Sequence, residues 1–173
     1  MKPLSIQFSI MTILSLNLAL GQDKTAQVKL EKITVDIAPN NPYFEDWSGE
    51  ILSPGNAFSL KCPIKKDYPE NMMGKLIAEF EGNVIVEYDV KVCDGYEDDE
   101  IRRDFFINGV FSENFPKNCP VKAGDYEIIK YTIPTDKLPS DSPDGKFVII
   151  GSIYETGNDP YLSVRYEGEV IHQ

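Results

Sequence analysis

Histidine is almost missing from this chain: its one imidazole, His172, stands next to the C-terminal residue. A Ser/His/Asp or Cys/His arrangement needs an oriented imidazole, and a terminal one is expected to fray. One His and three scattered Cys cannot assemble a zinc site. A Gly-rich phosphate loop is also lacking; Pro54-Gly55-Asn56 and Asp144-Gly145 read as turns. The acidic run Glu97-Asp98-Asp99-Glu100 lacks the alternating ligands and central Gly of a calcium loop. A glycosidase-type carboxylate pair could be drawn from 28 acids in many ways, so none is specified. The expectation is a protein without catalytic residues, metal or cofactor.

Positive charge is scarce as well. Seventeen Lys and Arg face 28 Asp and Glu, a net charge of −11. Such a chain does not bind nucleic acid or an anionic membrane by bulk electrostatics. Long apolar runs are limited to one, Ile6–Leu20, which follows Lys2 and ends at Ala19-Leu20-Gly21. This pattern predicts a secretory signal over residues 1–21, with an uncleaved amphipathic anchor as the alternative. Residues 22–173 are then a single domain, expected to be extracellular; the lysosomal lumen is the less favoured compartment.

Three cysteines in an oxidising compartment imply one disulfide and one leftover thiol. Cys93 and Cys119 flank the least regular part of the chain and are expected to pair. Cys62 follows Phe58 and Leu60 in an alternating run and is expected to face the core; an intermolecular bridge is the other reading.

What the chain does have is a period of two. Val84, Val86, Tyr88 and Val90 alternate with Ile85, Glu87 and Asp89, predicting a strand with one buried face. Similar runs span Val28–Ile37, Ala57–Cys62, Lys75–Glu81, Tyr126–Pro134, Lys146–Glu155 and Tyr161–Ile171, separated by Gly/Pro turns. Ile33, Val35 and Ile37 fall out of phase with Val28 and Leu30, which places a bulge near Lys32. The fold class is therefore all-β, an antiparallel sandwich or cup. Between Cys93 and Cys119 the pattern breaks. Acids there precede Ile101, Phe105, Phe106, Val110, Phe111 and Phe115, which suits one short helix or a loop lid.

The stretch Cys119-Pro120-x-Lys122-x-Gly124-x-Tyr126, followed by Leu138-Pro139 and Gly145-x-Phe147, resembles the ganglioside-activator-like proteins, arthropod relatives included. These belong to the ML (MD-2-related lipid-recognition) superfamily. The looser likeness covers most of Val28–Val170; Tyr161–Val170 lacks the cysteine usual in the family's last strands. The resemblance implies an immunoglobulin-like β-cup with an apolar pocket between two sheets.

On that reading the expected partner is a lipid or small apolar ligand, with transient membrane-surface contact allowed and a monomeric state. Val84, Val86, Tyr88, Val90, Phe147, Ile149 and Ile153 are the candidate pocket lining. Phe105, Phe106, Val110, Phe111 and Phe115, with Met72 and Met73, are the candidate rim or lid. The alternative is a protein-binding module of the same fold, accessory to a receptor or enzyme.

Overall fold

The computed structural model describes residues 26–135 and 143–172; the leader and the Leu138-Pro139 motif lie outside them. Two antiparallel sheets face each other. Strands β1 (Ala26–Ile37), β4 (Met72–Phe80), β5 (Asn83–Lys91), β8 (Gly145–Glu155) and β9 (Leu162–His172) form the larger sheet in the order β1-β9-β8-β4-β5. Strands β2 (Ser48–Leu52), β3 (Ala57–Ile64), β6 (Gly109–Phe111) and β7 (Gly124–Thr132) form the smaller one, ordered β2-β3-β7-β6. The all-β expectation holds. The short strands β2 and β6 carry no alternation long enough to read from sequence.

The local signals explain the joints. The β1–β9 register shifts between Leu30 and Lys32, where the apolar phase changes. The bulge thus keeps Val28 and Leu30 on one face with Ile33, Val35 and Ile37. The β4–β5 hairpin turns on Glu81 (φ 48°) and Gly82 (φ 76°), the two left-handed residues of a tight hairpin turn.

Between β5 and β6 lie two helices rather than one, α1 (Val92–Glu97) and α2 (Asp99–Ile107). Asp98 separates them with an extended backbone, and its carboxylate accepts from the backbone N–H groups of Glu100 and Ile101 at 3.0 and 2.9 Å. That is an N-cap, and Asp99 and Glu100 add negative charge to the first turn of α2. The disulfide joins Cys93 in α1 to Cys119, as the sequence suggested.

The core lies between the sheets. Leu60, Cys62 and Ile64 of β3 and Ile128 of β7 pack against Val28, Leu30, Leu162 and Val164. On one side the sheets approach closely: a methyl group added at Gly49 of β2 would stand 2.8 Å from Ile33 of β1. The sandwich is therefore shut along β1 and β2. Strands β5 and β6 are the opposite edges, and only the α1–α2 segment connects them in the chain.

Candidate functional site

The inner face of the large sheet can be followed row by row, because residues directly opposite share a face. One row runs Val35, Val164, Gly151, Leu76, Tyr88. Its neighbours run Ile33, Tyr166, Ile149, Ala78, Val86 and Ile37, Leu162, Ile153, Gly74, Val90. All three rows are apolar from end to end, but their cover is not. Val164 is 5% exposed, while Leu76, Val86 and Tyr88 are 41%, 45% and 43% exposed. A methyl group added at Gly151 would meet nothing within 4 Å. The four-stranded sheet thus covers β1 and β9 and leaves an apolar strip open on β4 and β5.

Beside that strip is a partly open apolar pocket of about 170 Å³. Ile153 of β8 and Val92 and Tyr96 of α1 form part of its wall. Trp47, Cys62, Tyr68, Tyr126 and the rings of Phe105 and Phe115 complete much of the rest. Burial pushes the Cys62 thiol up to about 12 and the Tyr96 hydroxyl likewise to about 12, so both stay protonated at neutral pH. Trp47 Nε1 donates to the Pro63 carbonyl at 3.0 Å, and Tyr126 Oη to that of Lys122 at 2.9 Å.

The phenylalanines of the disulfide-closed segment form one ring cluster. Phe111 lies 4.6 Å from Phe115 and 5.0 Å from both Phe105 and Phe106, centroid to centroid. Phe105 also meets Tyr131 of β7 at 5.6 Å. Outside this cluster is an open groove of about 740 Å³ lined by Phe106, Phe111, Arg102, Arg103, Lys117 and Glu113. Arg102 pairs with Asp99 and Arg103 with Asp104, so acids balance much of the local positive charge.

Several sequence expectations need correction. Val86, Tyr88 and Val90 share the inner face of β5, but Val86 and Tyr88 are exposed rather than buried, and Val90 is half-buried beside Gly95 of α1. Val84 leaves that set: the register shifts between Ala78 and Glu79, and Val84 stands opposite Glu79 on the other face. Phe147 is core, its ring occupying the space that Gly168 leaves. Ile149 packs against the core, and Ile153 reaches the cavity.

On the rim side, Val110 stands opposite Lys130 on the outer face of the small sheet and is exposed. Phe105, Phe111 and Phe115 are half-buried against the core rather than open at a mouth, and Phe106 faces the outer groove. Met72 is buried core. His172 is not frayed: it closes β9 opposite Ala26, with Nδ1 2.6 Å from an Asp144 carboxylate oxygen.

Trp47, Tyr68, Tyr96 and Leu76 were missed. Trp47 and Tyr68 sit in loops without periodicity, and Tyr96 lies in a six-residue helix, so only the fold brings them together.

Residues 82–149 match the family described as a protein of unknown function, DUF1091. No curated protein matches the chain. Among solved structures, the chain is similar to chicken MD-1 complexed with lipid IVa, at 11% identity and a TM-score of 0.41, covering 84% of this chain and 97% of that one. It is also similar to a Niemann-Pick type C2 protein from Japanese carpenter ant, at 16% identity and a TM-score of 0.37, covering 83% and 92%.

Proposed function

We propose that this chain is a secreted carrier that holds a lipid or other apolar ligand between its two sheets, and that its role is binding rather than catalysis. One observation carries the reading. The apolar inner face that forms the core at β1 and β9 continues uncovered across β4 and β5, with open space over Gly151. An acidic chain that keeps such a strip uncovered needs something to cover it. Burying an acyl chain of a dozen or more methylenes at roughly 25 cal/mol per Å² yields several kcal/mol. The likeness of Cys119–Phe147 to the ganglioside-activator-like pattern points the same way.

The test is organic extraction of natively purified protein followed by lipid mass spectrometry, together with uptake of a fluorescent fatty-acyl probe. A co-purifying lipid and saturable uptake are expected. Protein that arrives empty and takes up no probe overturns the proposal.

The protein-binding alternative has its own observation. Strand β5 is a nine-residue sheet edge, with Ile85 63% exposed on it. An unpaired apolar edge is a surface on which another strand can add. An empty protein that captures a partner in a β5-dependent way would favour this second reading.

A further inference from the structure

The larger sheet ends at β5, which pairs with β4 and with no other strand. Residues 83–89 are all exposed, and among the described residues no backbone hydrogen bond reaches them from any element but β4. In an antiparallel pair every second residue turns its N–H and C=O away from the partner strand, so β5 presents a row of such groups to solvent. The other sheet edges differ. Strands β2 and β6 have five and three residues, and β1 is shut against β2. A longer open edge without proline accepts one more strand.

The pleat dictates what that strand must look like. From Val86 to Val90 the register with β4 is regular, with Val86, Tyr88 and Val90 on the inner face and Glu87 and Asp89 on the outer. A residue paired directly opposite another shares its face. An added strand therefore sets alternate side chains beside Val86, Tyr88 and Val90, where apolar ones fit, and the intervening ones beside two acids. Glu87 meets Lys75 at 2.6 Å, yet its side chain is 57% exposed; Asp89 accepts from the Tyr154 hydroxyl. The net charge of −11 adds a field of the same sign.

We propose that β5 docks an extended segment of a partner protein in which apolar residues alternate with Lys or Arg. The inference deepens the strand-addition reading and leaves the strip on β4 and β5 available to an apolar ligand. A second copy of this chain fits poorly. Antiparallel registers centred on Glu87, Tyr88 or Asp89 bring Glu87 to Glu87, Glu87 to Asp89, or Asp89 to Asp89. Like charges directly opposite each other are destabilising.

The experiment is a fluorescence-anisotropy titration of the purified protein with a labelled heptapeptide alternating valine and lysine. Saturable binding is expected, with about tenfold weaker binding of valine–glutamate and serine–lysine heptapeptides. N-methylation of every second residue should abolish binding in one phase and spare it in the other, because only one edge of the peptide bonds to β5. Glu87→Gln with Asp89→Asn should lower affinity about fivefold and flatten its salt dependence. The inference is overturned if the valine–lysine peptide does not bind, if the serine–lysine peptide binds as well, or if both N-methylated forms bind unchanged. Wild-type affinity in the Glu87→Gln, Asp89→Asn variant overturns it too. A dimer that the peptide dissociates gives β5 to a second copy and overturns the choice of partner. Fatty-acyl probe uptake is measured alongside. Probe uptake without peptide binding overturns this inference alone; peptide binding by protein that arrives empty and takes up no probe overturns the carrier reading alone.

Discussion

Val164 and Tyr88 stand in the same row of the same sheet face, yet one is core and the other is open to solvent. Along β1 and β9 the apolar face meets β3 and β7 and excludes water. Along β4 and β5 the same kind of face meets nothing comparable. The contrast teaches that this sheet is wider than its cover. Residue type does not separate the halves; position in the strand order does. The closed half holds the fold, and the open half is where the proposed ligand would be covered without unfolding anything.

The contrast can be broken by mutation. Leu162 is fully buried, and Leu162→Ala should cost about 2–5 kcal/mol by urea unfolding. Leu76→Ala, on the open half of the same face, should cost well under half as much. Equal losses would mean that the open half is covered in solution.

Next in size is the disulfide, which ties α1 back across the open side. Replacing Cys93 and Cys119 by Ser should cost about 3–4 kcal/mol, from the chain entropy of a loop with separation 26. The measurement is the same unfolding titration, and an unchanged midpoint would mean that the helices hold their place unaided.

A sharper probe of the open half is Gly151→Leu. Open space over Gly151 means that the added side chain need not displace a neighbour. Stability should change by less than about 1 kcal/mol, while fatty-acyl probe affinity falls by about tenfold. Loss of stability with binding intact would show that the space is not the ligand's.

The smallest effect belongs to pH. The Glu155 carboxylate accepts hydrogen bonds from the Tyr43 and Tyr161 hydroxyls at 2.7 and 2.8 Å. Those bonds hold its carboxyl below the usual range. A lowered folded-state pKa contributes stability above the unfolded value, and that contribution fades as pH falls through the folded value. Below the ordinary carboxylate range, the gap between wild type and Glu155→Gln should therefore close. The site is close to solvent, so the gap at neutral pH should be at most about 1 kcal/mol.

Much of this was legible along the chain. Among the described residues alternation marked seven of nine strands, the phase change at Lys32 marked the bulge, and the irregular span between Cys93 and Cys119 marked the disulfide. These are local features: a strand's period, a bulge and a cap each depend on a few neighbouring residues. The site was legible only in part. Tyr88, Ile153 and the Phe segment carried a signal; Tyr68 and Trp47, in loops, did not.

The sequence by itself determined that this protein has apolar strand faces, a net charge of −11 and one disulfide-closed loop. Only the tertiary structure decided which face is covered, because cover depends on strand order, and strand order joins residues distant in the chain. Val86 and Val164 have the same side chain and a comparable alternating context. Val164 is buried because β9 lies under β3 and β7; Val86 is exposed because the smaller sheet does not extend over β5.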